Sequence, residues 1–80
     1  MEQKFNPKIF DSKRFALDSY SYRSERKISR EGFADLIGTT GHIVSGFEIK
    51  SIVPKADVLF NVCLLIGKDF NEYFISDEQS

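Results

Sequence analysis

One histidine, one cysteine and no tryptophan leave this 80-residue chain few side chains with which to do covalent chemistry. His42 stands between Gly41 and Ile43, and Cys63 stands among Val62, Leu64 and Leu65 in an apolar helical stretch. A nucleophile needs a base within hydrogen-bond reach and a third group to orient that base. Nothing of that kind is spaced around Cys63, which reads as a core residue. A metal site needs several imidazole, thiolate or carboxylate ligands at characteristic spacing, and no second histidine or cysteine cluster supplies them. No catalytic residue, no metal ligand and no cofactor is therefore expected, and the chain does not read as an enzyme. The chemistry that remains is non-covalent recognition, carried by the polar residues between Ile28 and Pro54.

Those residues need two short helices to position them. Ser29 can cap a helix by accepting from the free amides of its first turn, with Arg30 and Glu31 following. Phe33, Ala34 and Ile37 then line one face, and the small Ala34 allows a partner helix to approach closely. Gly38 falls just past the last periodic residue, where a left-handed terminator belongs. Thr40 can cap a second helix from Gly41 to about Ile49, with Val44 and Phe47 inward and Gly41, His42, Ser45 and Gly46 outward. The spacing over residues 29–49 predicts a helix-turn-helix, with the outward set as its reading head.

This constellation resembles the lambda-repressor-like family of helix-turn-helix regulators, the Cro/CI or XRE class. The likeness covers most of the chain without insertion or deletion. Upstream, Phe10, Asp11, Phe15, Tyr22 and Arg23 resemble the family's first helix. Downstream, Leu59, Val62, Cys63, Ile66, Gly67, Phe70, Tyr73 and Phe74 resemble its fourth helix, glycine stop and closing helix. Ser19 departs from the pattern, since the family usually has a leucine there.

The resemblance implies an all-α fold, a compact bundle of about five short helices, and double-stranded DNA as the partner. It implies base contacts from Thr40, Gly41, His42, Ile43, Ser45 and Gly46, and phosphate contacts from Ser29, Arg30, Lys27 and Lys50. Arg23 would then form a structural ion pair with Glu48, or serve as a further phosphate contact. His42 has a plainer alternative as an exposed residue at a helix start. Gly41 and Gly46 offer no donor or acceptor to a base edge, so the reading head is poor in the bidentate contacts that discriminate most strongly.

Composition bounds these expectations. Eighty residues make one small domain, which buries only about 60 per cent of its unfolded surface. The net charge of -1 and pI near 5.7 suit phosphate binding badly, but the charges are unevenly spread. Up to Arg30, eight bases (Lys4, Lys8, Lys13, Arg14, Arg23, Arg26, Lys27, Arg30) outnumber four acids (Glu2, Asp11, Asp18, Glu25). Beyond it, only Lys50, Lys55 and Lys68 face eight acids. The chain reads as residues 1–9 an N-terminal arm, 10–75 the helix-turn-helix domain and 76–80 an acidic tail. The lone cysteine excludes an intrachain disulfide and fits a reduced compartment. No run is long enough to span a membrane and no signal-peptide core is present, so a cytoplasmic protein is expected, in a bacterial or phage context by the resemblance.

Apolar residues also occupy positions that the family keeps polar. Val58, Leu64, Leu65, Tyr73 and Phe74 read either as a homodimer interface or as a larger core. Two classes of function follow: a DNA-binding transcriptional regulator, a repressor at an inverted-repeat operator, and a protein-interaction module on the same scaffold, antitoxin-like or an anti-repressor or adaptor.

Overall fold

Asp11 starts the helical part of the chain, its carboxylate accepting from the Arg14 amide at 3.2 Å. The structure, a computed structural model, describes residues 7–76. Helix α1 spans Ser12–Glu25, α2 Arg30–Ile37, α3 Gly41–Ile49 and α4 Ala56–Ile66. Strand β1 (Lys8–Phe10) precedes them, and a 3-10 turn (Phe70–Tyr73) and strand β2 (Phe74–Ser76) follow.

Caps and stops explain these boundaries. The Ser29 hydroxyl accepts from the Gly32 amide at 3.0 Å, and Thr40 Oγ1 accepts from the Ile43 amide at 3.3 Å. Each satisfies a first-turn donor that has no intrahelical partner. Gly38 and Gly67 end α2 and α4 with φ of 76° and 74°, left-handed conformations that cost glycine nothing. Helix α3 ends at Lys50, and Ser51 turns the chain with φ 55°. Pro54 lies just outside α4, where its missing amide hydrogen breaks no helical bond.

The four helices bury one core. Phe15 sits at its centre, its ring 5.3 Å from those of Phe10 and Phe47 and 5.4 Å from Tyr73. Phe33, Ala34 and Ile37 from α2, Val44 and Phe47 from α3, and Val58, Leu59, Val62 and Cys63 from α4 complete it. Burying a side chain of this size is worth about 1.5–3 kcal/mol, so this stripe-to-stripe packing is the main force holding α3 against its neighbours. Burial pushes the Cys63 thiol up to about 11, helped by Asp69 and Glu72.

The chain is mostly helical, but three expectations are corrected. The closing helix is only a 3-10 turn, started by Asp69 accepting from the Asn71 amide, because the chain straightens at Phe74 to pair with β1. That pairing is antiparallel, with Lys8 opposite Ser76, Ile9 opposite Ile75 and Phe10 opposite Phe74. Residues 8 and 9 of the expected arm are thus part of the folded unit, as is Ser76 of the expected tail. Residues 1–6 of that arm and 77–80 of that tail lie outside the described residues.

The third correction concerns the expected dimer patch. Val58 and Tyr73 are buried, Leu65 and Phe74 are half-buried, and only Leu64 is freely exposed, at 65 %. Val58 lies one turn before Val62 on the inward stripe of α4. Tyr73 is folded back onto α1, where its phenol donates to Asp18 Oδ2 at 2.6 Å. Burial and that hydrogen bond both push its ionisation well above the usual phenol range. No helix among the described residues is long and apolar enough to cross a membrane.

Candidate nucleic-acid interface

Helices α2 and α3 are joined by residues 38–40, and the position of α3 is set by a polar cluster as well as by the core. Glu48, on the inner side of α3, has a side chain that is only 2 % exposed. Its carboxylate accepts from Ser19 Oγ at 3.1 Å and from Arg23 Nε and Nη2, the latter at 2.9 Å. Arg23 also donates to the Ile28 carbonyl at 3.0 Å, which fixes the turn entering α2. These charge-assisted bonds hold the Arg23 proton more tightly than usual. A buried carboxylate is tolerable only when it is paired and hydrogen-bonded in this way.

Arg30, the first residue of α2, approaches the same carboxylate. Its Nε lies 3.7 Å from Glu48 Oε1, buried and without a hydrogen-bond partner, while 40 % of the side chain is exposed. One carboxylate therefore stands between two guanidinium groups. The surplus positive charge is on the half-exposed arginine, at the α2 start.

Around this point the expected phosphate-contacting groups are dispersed. Lys27 is exposed with φ 55° in the link between α1 and α2, and Lys50 is exposed at the end of α3. Ser29 is exposed, but its hydroxyl oxygen is engaged as the α2 cap.

The expected reading residues divide into two groups. Thr40, His42 and Ile43 are exposed, with Thr40 Oγ1 committed to its cap, and Ser45 is half-buried. Gly41 and Gly46 differ from the fully outward positions the sequence suggests, since both are half-buried. A Cβ on Gly41 would lie 3.0 Å from Glu31 Oε2, so the Glu31 side chain covers the start of α3. A Cβ on Gly46 would meet only Ile52 Cδ1, at 3.8 Å. The physical reason is the connection after α3, where the Ile52 amide donates to the Gly46 carbonyl and draws its side chain over the helix.

Sequence reasoning missed Ser19, Glu31, Ile49, Ile52 and Val53. Ser19 and Arg23 are one helical turn apart on α1, and that spacing was the available signal for a shared partner. Ile49, Ile52 and Val53 are all more than half exposed, which leaves the far end of α3 and its connection apolar at the surface. Among the described residues no cluster of histidine, cysteine and carboxylate side chains could hold a metal ion. Comparison of the chain with protein-family models, with curated proteins and with solved structures finds no match.

Proposed function

We propose that this chain is a DNA-binding transcriptional regulator of lambda-repressor-like architecture, acting in the cytoplasm as a homodimer that represses by occupying an inverted-repeat operator. The observation that carries the reading is the α2–α3 pair: two capped helices joined at a left-handed Gly38, with Lys27, the surplus charge of Arg30 and Lys50 all on the exposed surface of the same pair and its flanks. In that reading α3 enters the major groove and the start of α2 crosses the sugar-phosphate backbone. Thr40, Gly41, His42, Ile43, Ser45 and Gly46 form the groove-facing set, and Ser29 supports the phosphate contact of Arg30. With glycine at two of those positions, recognition leans on close backbone approach and on the shape and spacing of the half-sites.

Selection of bound duplexes from a random-sequence pool at near-physiological salt tests this reading. Enrichment of an inverted repeat whose half-sites lie about one helical turn apart, roughly 34 Å, is the expected result. Retention without enrichment would reduce the proposal to non-specific phosphate binding.

A second reading is favoured by one specific observation. The Glu31 carboxylate beside Gly41, together with exposed Ile49, Ile52 and Val53, makes the α3 surface more acidic and apolar than a groove-binding surface needs. A protein-interaction module, antitoxin-like or an anti-repressor, fits that surface, and failure to retain any duplex would select it.

A further inference from the structure

Helix α3, the connection after it and the start of α4 enclose a cleft of about 430 Å³. Helix α3 supplies Ile43 and Gly46 to its lining, the connection Ile52, Val53 and Pro54, and α4 the buried Val58. The recess exists because Gly46 has no side chain: a Cβ placed there meets only Ile52 Cδ1, at 3.8 Å. Backbone geometry holds it open. The Ile52 amide donates to the Gly46 carbonyl at 3.1 Å, the Pro54 ring fixes its own φ, and the Leu59 amide ties the Lys55 carbonyl into α4 at 2.9 Å. The connection is thus pinned at both ends, and Ile43, Ile52 and Val53 line the cleft while staying 41 %, 55 % and 53 % exposed.

A preformed recess of about 300–1,000 Å³, mostly apolar with a few polar groups at its edge, has the dimensions of a small-molecule site. About 150 Å³ is enough to hold a benzene molecule, so a ring and a short aliphatic chain fit here together. The charge at the edge selects the other end of such a ligand. Lys55 is exposed and forms no ion pair among the described residues. Asp57, the acid on the same edge, is turned back on its own helix, where Oδ1 accepts from the Val58 amide at 2.8 Å. The cleft therefore offers an aliphatic lining and one uncommitted ammonium group.

We propose that this cleft binds a small arylalkyl carboxylate, its ring among Ile43, Ile52 and Val53 and its carboxylate beside Lys55. A ring covers the three aliphatic side chains with little conformational entropy to lose, and the carboxylate gives Lys55 a charge-assisted partner. Ile43 and Gly46 also belong to the groove-facing set of the proposed function, and His42 lines the same cleft. A ligand seated there covers part of that set, so ligand and duplex weaken each other by the same factor. This last consequence rests on the DNA reading; binding of the carboxylate does not.

Isothermal titration of the full chain with phenylbutyrate, with the neutral phenylbutanamide and with the cationic phenylbutylamine tests the proposal. Phenylbutyrate is expected to bind about tenfold or more tightly than the amide, and the amine most weakly. Lys55→Gln, at an exposed position, is expected to remove the preference for phenylbutyrate while leaving the amide's affinity unchanged. Gly46→Leu, which fills the recess, is expected to abolish binding of both with helical circular dichroism retained. No binding of phenylbutyrate at millimolar concentration, equal affinity for acid and amide, tighter binding of the amine, or a preference that survives Lys55→Gln would overturn it. If Gly46→Leu unfolds, Lys55→Gln decides. Duplex selection with and without phenylbutyrate separates the two ideas: a chain that binds the acid but retains no duplex keeps the cleft and loses the DNA reading, and enrichment of a repeat by a chain that ignores the acid does the reverse.

Discussion

Ser19 on α1 donates its hydroxyl proton to Glu48 Oε2 on α3 across 3.1 Å, from a position with no exposed surface. A leucine at that position would add apolar contacts but leave the carboxylate one donor short. Ser19→Ala is therefore expected to cost about 1–3 kcal/mol, the range for removing a partner from a buried charged group. Glu48→Ala, which strands the Arg23 guanidinium, is expected to cost about 3–5 kcal/mol. Urea denaturation of the two variants checks both, and an unchanged midpoint for Ser19→Ala would show that Arg23 alone satisfies the carboxylate.

Three glycines should respond to alanine in opposite directions. At Gly38 and Gly67 there is open space around a new Cβ, but φ is positive, so each substitution should cost about 1–2 kcal/mol of conformational strain. Gly46 is inside α3 with ordinary helical geometry and a nearest contact of 3.8 Å, so alanine there should stabilise by about 0.5–1 kcal/mol. Thermal unfolding followed by circular dichroism distinguishes these signs.

Alkaline conditions should destabilise the fold in two steps. Both Cys63 and Tyr73 hold their protons to higher pH in the folded chain than their ordinary values near 9 and 10. The unfolded chain therefore releases these protons first, and stability falls as pH rises, beginning near 9 for Cys63 and near 10 for Tyr73. Each proton contributes a slope of about 1.4 kcal/mol per pH unit within its window. Denaturation midpoints measured as a function of pH should lose the segment from 9 to about 11 in Cys63→Ala. Tyr73→Phe should flatten the more alkaline part.

Arg30→Ala should leave the chain folded, because Arg23 still neutralises Glu48, yet weaken duplex binding. If Arg30 meets one phosphate, the slope of log affinity against log salt should fall by about 0.9. Affinity measured over a salt series gives that slope directly. An unchanged slope would remove the α2 start from the phosphate-binding surface.

The caps were legible because they are local. Asp11, Ser29, Thr40 and Asp69 each satisfy an amide two or three residues away, and Gly38 and Gly67 end helices by their own backbone conformation. Strand β1 was not legible, since three residues show no period and their partners lie more than sixty positions along the chain. The reading of Tyr73 as surface failed for the same reason: its burial depends on Asp18, Phe15 and Phe10. At the candidate interface, residue types identified what could be presented but not what covers it. Glu31 over Gly41 and Ile52 over Gly46 are contacts between elements, and no spacing within α3 encodes them.

The pairing of β1 with β2 makes the described chain nearly a ring. Lys8 lies opposite Ser76, and the Asp11 amide donates to the Tyr73 carbonyl at 2.6 Å. Closing so long a loop carries the largest entropy loss of any contact in the fold, while the capped helices form from neighbours. Ordering of the 8–76 seam therefore belongs late in folding, after the helices have created the aromatic floor on which Phe10 and Tyr73 rest. In the finished molecule that seam brings the strands near the two termini side by side, so a short peptide bridge across it would turn an entropic cost of folding into a covalent given.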